Sequence, residues 1–190
     1  MRRTGRWGLV PVALALSLGS TAEVEAELID RGTYDGVTLI YDTTQRITWI
    51  GDADWARSSG ADEDGMMTWD EANQWASSLR IAGFSDWRLP LTFDETCRGI
   101  NCTNSEMGKL FSNDRISADN PGPFQNVQAG EYWSRRGSRE TGLAWAHHFG
   151  NGEQTDTDLT NGFVPWAVRD GDVGGEVSND PTSGRHAVAE

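Results

Sequence analysis

Tryptophan is the residue that most constrains the fold of this chain. Nine tryptophans occur among its 190 residues, although only 37% of the residues are hydrophobic. All but Trp7 lie beyond the first 22 residues. Because each large aromatic side chain buries on the order of 150–250 Å², a few of them can fill the core of a small domain. The length and these aromatics predict one domain with a proper core.

The first 22 residues predict a secretory signal peptide. Arginines at the start are followed by an apolar run from Leu9 to Leu18 and then by small residues up to Ala22. The run is shorter than the roughly 20 residues that a spanning helix needs, so we expect no stable membrane anchor after cleavage. Cleavage after Ala22 and after Ala26 both fit the small-residue rule. Either alternative predicts a secreted or periplasmic protein.

The charge of the chain argues against a nucleic-acid partner. The formal net charge is -13, whereas binding to phosphate backbones requires clustered Lys and Arg. Beyond the signal, one tight cationic group stands out, formed by Arg135, Arg136 and Arg139. Arg135 and Arg136 are candidate ligand-binding residues that could hold a sulfate or carboxylate. The alternative is a solvated hairpin tip.

The two cysteines, Cys97 and Cys102, predict a local disulfide. They close the short loop CRGINC, and an exported chain meets the oxidising conditions in which disulfides persist. A metal pair is the alternative, but zinc usually takes four ligands, and neither a further Cys nor a His lies nearby in the sequence. We therefore expect a structural bridge.

Strand patterns dominate the first third of the domain. Leu28 and Ile29, VTLIYD from Val37 and RITWI from Arg46 are rich in branched and aromatic residues and are separated by turn residues. The following stretch, 51–65, is acidic and rich in small residues, which is typical of a loop. Two helices then follow. Thr68 with Glu71 forms a capping box ahead of an apolar stripe, and a shorter helix is predicted from Thr103, with Glu106 completing a second box.

The last third returns to strands. YWSR from Tyr132, LAWAHHFG from Leu143 and FVPWAVR from Phe163 predict an antiparallel meander, with Asn-Gly pairs at 151–152 and 161–162 as tight turns. Tryptophans at strand centres favour the core over an exposed sugar platform. These are Trp133, Trp145 and Trp166. The adjacent His147 and His148 should face opposite sides of a strand.

This order of elements predicts an α+β domain. We place the domain at residues 27–170 and expect a disordered tail at 171–190, where Gly, Ser, Asp and Asn predominate.

The acidic stretch before the first helix contains a candidate calcium site. Asp62, Asp64, Gly65 and Glu71 are spaced like positions 3, 5, 6 and 12 of an EF-hand loop. Position 1 is a glycine, so Asp52 or Asp54 would have to complete the ligand shell. The alternative is a solvated acidic loop at a helix N-terminus, where negative charge is favoured.

Trp55 lies in the same acidic stretch. We predict that it is an exposed aromatic side chain and therefore a ligand contact.

Four sequence blocks resemble the Lcl C-terminal domain family. They are LIYDTTQRITWI from Leu39, MTWDEANQWASSL from Met67, GFSDWRLP from Gly83, and the pair YWS and FVPWAVR. The resemblance implies a C-type lectin-like fold, with an antiparallel sheet, two helices and long loops, similar to that of the formylglycine-generating sulfatase-modifying factors.

Family members are associated with adhesion and glycan binding at bacterial surfaces. We therefore expect a non-catalytic, secreted or envelope-associated binding module for carbohydrate or another cell-surface ligand. The E-P-N and Q-P-D motifs of calcium-dependent lectins are absent, so calcium would not hold the sugar as it does in those lectins.

An enzyme and a structural protein are the two other classes of function. Sulfatase-modifying factors use a cysteine pair near the end of the domain, whereas Cys97 and Cys102 lie in its middle; we therefore expect no enzyme. The alternative to a glycan-binding module is a structural envelope protein that forms a homo-oligomer and binds a protein partner, with calcium as a stabilising ion.

Overall fold

The computed structural model of the protein describes residues 27–176. The predicted signal peptide at 1–22 and both cleavage sites lie outside the described residues. So does the part of the predicted tail from 177 onwards. Within residues 27–176, no helix is long and apolar enough to cross a membrane.

The described chain is a mixed α/β domain with two antiparallel sheets. The strands are Leu28–Tyr34 (β1), Val37–Asp42 (β2), Ile47–Ile50 (β3), Glu131–Gly137 (β4), Leu143–His148 (β5), Gln154–Asp158 (β6) and Val168–Asp170 (β7). The helices are Trp55–Ser58 (α1), Trp69–Ser78 (α2), Glu106–Ser112 (α3) and Val173–Glu176 (α4). The α+β architecture was predicted, but the strands form two sheets and the described part contains four helices where two were expected. Helices α1 and α4 are single turns.

The first sheet has the strand order β1-β2-β3-β7. Its inner strands consist of branched and aromatic residues, and all four residues of β3 are buried. Strand β7 comes from the far end of the domain and pairs with β3, with Thr48 opposite Arg169. This pairing ties the two ends of the domain together.

The second sheet, β4-β5-β6, is an antiparallel meander, as predicted for β4 and β5, but its third strand is β6 and not the predicted segment FVPWAVR. The Asn151-Gly152 pair lies in the turn between β5 and β6, as expected, and Trp145 is opposite Asp156. The sequence QTDTD of β6 carries no apolar pattern, which is why this strand was not predicted. Its pairing with β5 decides its conformation.

The predicted hairpin at Asn161-Gly162 is wrong. Strands β6 and β7 on either side belong to different sheets, and the segment FVPWAVR is strand only from Val168 onwards. Phe163 and Val164 instead make isolated bridges, to Met67 and to Tyr132. The apolar run is buried because it connects the two sheets.

Tryptophans fill the space between the elements, as predicted. Trp49, Trp87, Trp133, Trp145 and Trp166 are each no more than 2% exposed. The ring of Trp166 contacts four other aromatic rings, and its indole N–H donates to the Ile50 carbonyl oxygen at 2.7 Å. The predicted burial of Trp133, Trp145 and Trp166 is therefore confirmed, although Trp166 precedes β7 and is not itself in a strand.

Helix α2 begins as predicted. The Glu71 carboxylate accepts hydrogen bonds from the backbone N–H of Thr68 at 2.9 Å and from its hydroxyl at 2.6 Å. Ala72, Trp75 and Ala76 are the buried residues of this helix.

The cap predicted for α3 is wrong. The helix starts three residues after Thr103, and Ser105 is its N-cap, with the Ser105 hydroxyl accepting from Gly108 N–H at 2.9 Å. Glu106 does not form a capping box with Thr103, because its carboxylate is bound to the Arg88 guanidinium.

Two predicted boundaries shift. Part of the expected loop at 51–65 is helical, since α1 starts at Trp55. At the other end, the folded region passes residue 170: Arg31 pairs with Asp172, with its Nε 2.9 Å from Oδ1, and Val173 is fully buried. Residues 171–176 of the predicted tail are therefore folded, and residues 177–190 lie outside the described residues.

Cys97 and Cys102 are joined by a disulfide, as predicted. The loop they close lies against the outer edge of β6. Gly99 N–H donates to the Gln154 carbonyl oxygen at 2.7 Å, and Gln154 N–H donates back to Gly99 at 2.8 Å. The bridge is structural, because it holds a loop that covers an otherwise open strand edge.

His147 and His148 face opposite sides of β5, as expected. His147 is 1% exposed and packs against the rings of Phe111 and Phe149. Neither of its ring nitrogens has a hydrogen-bond partner among the described residues. Burial, with a smaller contribution from the charge of His148, lowers the pKa of His147 to about 4.

This buried imidazole predicts a loss of stability in acid. Since the pKa of His147 is about 4 in the folded chain, against 6.5 as its ordinary value, the unfolded state binds the proton more tightly. The stabilisation is complete above pH 6.5 and is lost as the pH falls towards 4, by roughly 3 kcal/mol. Urea denaturation at pH 7 and pH 4 measures it.

The control for this experiment is His147→Leu, which removes the titrating imidazole and places an apolar side chain in the buried position. This control is needed because Asp114 also titrates in the same pH range. Burial and the charge of Asp42 raise the pKa of Asp114 to about 6, so its contribution to the free energy of unfolding increases as the pH falls, opposite to that of His147. The difference between the two proteins isolates His147. Identical pH dependence of wild type and His147→Leu would contradict the assignment.

Candidate functional site

A cleft of about 410 Å³ lies beside α2. It is lined by Asn73, Ser77, Asp86, Trp87, Arg88, Leu89 and Arg135. Its volume lies within the range of about 300–1,000 Å³ typical of small-molecule sites. Three separate parts of the chain form its walls: α2, the segment after α2, and β4.

Helix α2 supplies a polar wall. Asn73 and Ser77 are four residues apart, so they lie one above the other on the same face. The Asn73 amide nitrogen donates to the Trp69 carbonyl oxygen at 2.9 Å, and the Ser77 hydroxyl donates to the Gln74 carbonyl oxygen at 3.0 Å. Oxygen atoms of both side chains therefore retain acceptor capacity for a ligand.

The segment Asp86–Leu89 forms a second wall. Its backbone is held by a bridge in which Arg88 N–H donates to the Val168 carbonyl oxygen and Val168 N–H donates back, both at 2.8 Å. Trp87 and Leu89 are buried in the core. Trp87 is only 2% exposed, so it presents almost no aromatic surface to the cleft.

Asp86 provides a carboxylate in the cleft. Its Oδ1 accepts from Arg169 Nε at 3.0 Å. Burial tends to raise the pKa of Asp86, but the hydrogen bond and charge of Arg169 outweigh it, and the pKa lies below its ordinary value. Asp86 is therefore ionised at neutral pH and fixed in position.

Arg88 anchors the same segment from below. Its Nη1 and Nη2 lie 2.8 and 2.9 Å from the two carboxylate oxygens of Glu106, and Nη2 also donates to Asp170. Burial works to lower the pKa of Arg88, but the two carboxylates outweigh this and raise it. Leu91 N–H donates to Glu106 as well, at 2.7 Å. The network joins the cleft wall to α3 and β7.

Strand β4 supplies the third wall and separates the predicted pair of arginines. Arg135 is exposed and lines the cleft, with its backbone N–H donating to the Pro90 carbonyl oxygen at 2.8 Å. The next residue, Arg136, turns away: its Nη1 donates to the Phe93 carbonyl oxygen at 3.0 Å, and its Nε lies 3.6 Å from Glu95. Arg139 also pairs with Glu95, at 3.4 Å.

The guanidinium of Arg135 has no ion pair among residues 27–176. The cationic group predicted from the sequence is therefore split. Arg135 offers free hydrogen-bond donors to the cleft, whereas Arg136 and Arg139 share one carboxylate outside it.

The acidic residues of the candidate calcium loop make local hydrogen bonds. Asp62 Oδ1 accepts from Gly65 N–H at 2.8 Å, and Asp64 Oδ1 accepts from Met66 N–H at 2.9 Å. Glu71 caps α2, and the hydrogen bonds from Thr68 lower its pKa. This geometry is that of turns closed by aspartate side chains.

The two acids proposed to complete the calcium shell are buried nearby. Asp52 accepts from Asp54 N–H at 2.9 Å and from the Asn126 amide at 3.0 Å. Burial raises the pKa of Asp54, with the charge of Arg57 opposing the shift and that of Asp52 adding to it. Over the whole described part of the chain, no group of three or more His, Cys, Asp or Glu side chains could hold a metal ion. The structure does not bring the five acids together as a ligand shell.

Trp55 is less exposed than predicted. As the first residue of α1 it is half-buried, packs against the core and lies over Gly36, where an added Cβ would be 3.8 Å from its ring. Among residues 27–176, the exposed large hydrophobic side chains are those of Phe93, Met66 and Ile100.

Sequence reasoning missed most of the cleft. Of its seven lining residues, only Arg135 was a candidate from the sequence. Asn73 and Ser77 lie on the polar side of α2, whereas the helix was predicted from its apolar side. Asp86 and Trp87 belong to the block GFSDWRLP. A signal was present in that block, because a conspicuous Asp-Trp-Arg run begins at Asp86, in the segment after α2.

Comparisons with known proteins bear on the whole domain. No curated protein matches the chain. The model of the Lcl C-terminal domain family matches residues 38–169, which include the second sheet, α2, α3 and every residue that lines the cleft, but not β1 of the first sheet. This match covers well over half of the chain. The protein therefore belongs to the Lcl C-terminal domain family.

Proposed function

We propose that this domain is a non-catalytic binding module that recognises carbohydrate or another surface ligand through the cleft beside α2. The free guanidinium of Arg135 at that cleft is the observation that carries the proposal. An exposed arginine has five donors in a planar fork, and here no carboxylate of the described residues pairs with them.

The other lining groups fit a hydroxyl-rich ligand. Asn73 and Ser77 offer oxygen acceptors, and Asp86 is an ionised acceptor held in place by Arg169. Donors and acceptors at fixed positions are what orient a polar ligand in a pocket. Because Trp87 is only 2% exposed, recognition rests on hydrogen bonds rather than on stacking against an aromatic face.

The state of Asp86 supports a binding role over catalysis. A general acid needs a pKa raised towards the working pH, whereas the pKa of Asp86 is lowered. Its carboxylate is also engaged with Arg169.

The scaffold and destination of the protein are part of the proposal. We infer a C-type lectin-like arrangement of the two sheets, and a secreted or periplasmic location reached through the signal peptide at 1–22. The Cys97–Cys102 disulfide supports an oxidising compartment.

A glycan array with the mature chain tests the function, followed by affinity measurements with Arg135→Ala. Hydrogen bonds to a charged group contribute about 1.5–3 kcal/mol, so we expect the substitution to weaken binding by about tenfold or more. The melting temperature should not change, because the exposed guanidinium makes no ion pair among the described residues.

Arg139→Ala is the matched control. This arginine is 82% exposed and contacts Glu95 outside the cleft, so its removal should leave glycan affinity unchanged. A blank array with folded protein would favour the alternative, an envelope protein that binds a protein partner. Equal affinities of wild type and Arg135→Ala would place the ligand elsewhere.

A further inference from the structure

The chain contains two Asn-Gly pairs within the described residues, and the fold treats them differently. Asn151-Gly152 lies in the turn between β5 and β6, and Asn161-Gly162 follows β6. We propose that Asn161 is a site of spontaneous covalent modification, namely intramolecular deamidation, and that the fold protects Asn151 from the same reaction.

The reaction needs only the chain and water. The backbone nitrogen of Gly162, after losing its proton to hydroxide, attacks the side-chain carbonyl carbon of Asn161 and forms a five-membered succinimide. The bond from that carbon to the side-chain nitrogen breaks, and ammonia leaves. One water molecule then opens the ring at either carbonyl, giving aspartate or isoaspartate. One amide and one water become one acid and one ammonia, and no electron is transferred.

Glycine in the second position makes this attack sterically easy, because it has no Cβ to crowd the approach. The structure must also leave the attacking nitrogen free and the turn able to adjust. These two requirements distinguish the two sites.

At Asn161 both requirements are met. Asn161 and Gly162 are exposed, and the Gly162 N–H makes no hydrogen bond to any described residue. The Asn161 side chain is held by a single contact, in which its amide nitrogen donates to the Thr157 hydroxyl at 2.7 Å. One side-chain hydrogen bond is therefore all that restrains this amide among the described residues.

At Asn151 the same atoms are occupied. Gly152 N–H donates to the His148 carbonyl oxygen at 2.8 Å, and Asn151 Oδ1 accepts from Glu153 N–H at 2.9 Å. Gly152 is buried at φ +77°, where an added Cβ would lie only 2.4 Å from the Phe111 ring. Attack at this site requires the turn to open first.

The modification would change the segment next to Met67. The product adds a carboxylate three residues after Asp158, and isoaspartate lengthens the main chain by one methylene just before Phe163. Phe163 and Met67 exchange two backbone hydrogen bonds of 3.0 Å, and these hold the N-terminal side of α2. We expect isoaspartate at 161 to weaken this bridge.

Peptide mapping by mass spectrometry tests the proposal. The folded full chain is incubated at mildly alkaline pH, and the amide-to-acid conversion is followed at both sites. We expect Asn161 to react faster than Asn151 by about tenfold or more, which corresponds to about 1.4 kcal/mol of opening at the protected turn.

Two controls show that the fold is responsible. In urea-denatured protein, both sites should react at similar rates, and Gly162→Ala should slow the reaction at Asn161 alone. The proposal is overturned if Asn151 reacts as fast as Asn161 in the folded chain. It is also overturned if Asn161 stays intact while the denatured chain reacts at both sites.

Discussion

Replacing Arg88 with methionine should lower the free energy of unfolding by about 3–5 kcal/mol, the usual cost of removing one partner from a buried ion pair. Arg88 and Glu106 are each less than 10% exposed, and their contact has two hydrogen bonds. Without Arg88, the Glu106 carboxylate keeps only the Leu91 N–H within the core. Urea denaturation monitored by tryptophan fluorescence measures the loss.

Two further variants identify the cause of this loss. Arg139→Met removes an arginine that is 82% exposed, and surface pairs contribute only about 0–1 kcal/mol, so its effect should be small. In the double variant Arg88→Met, Glu106→Leu no buried charge of the pair remains, and we expect part of the stability to return. A loss below about 1 kcal/mol for Arg88→Met would show that the pair is not the anchor described here.

Trp166→Ala should destabilise the domain by about 3–5 kcal/mol, as large aromatic deletions in cores do. The ring centroid of Trp166 lies 4.9 Å from that of Trp49, 5.0 Å from Phe124 and 5.4 Å from Phe149. The substitution removes the ring that all three neighbours contact and leaves a cavity among them. Thermal and urea unfolding both report the change.

Trp166→Phe separates packing from hydrogen bonding. It keeps a ring but removes the N–H that donates to the Ile50 carbonyl oxygen, so we expect a loss between wild type and Trp166→Ala. Trp55→Ala, at a half-buried position, should cost less than Trp166→Ala. Equal losses for Trp55→Ala and Trp166→Ala would contradict the central role of Trp166.

Local sequence patterns were sufficient to predict those features whose interactions join residues close together in the chain. The capping box of Thr68 and Glu71, the disulfide between Cys97 and Cys102, and the β5–β6 turn at Asn151-Gly152 were all predicted and are present. Each depends on residues close in sequence, so spacing alone carries the information. The same reasoning failed at Glu106, which fits a capping box with Thr103 but is bound to Arg88 instead.

The sequence by itself determined the family, the α+β class and the burial of Trp133, Trp145 and Trp166, because hydrophobic pattern and local spacing are properties of the chain. Tertiary structure alone decided that β7 joins β3, that β6 is a strand, and that Arg135 lines a cleft while Arg136 turns away. These outcomes depend on contacts between residues far apart in sequence. The free energy of such contacts cannot be read from a local sequence pattern. The cleft is such a case, since its three walls come from separate parts of the chain and meet only when the domain is folded.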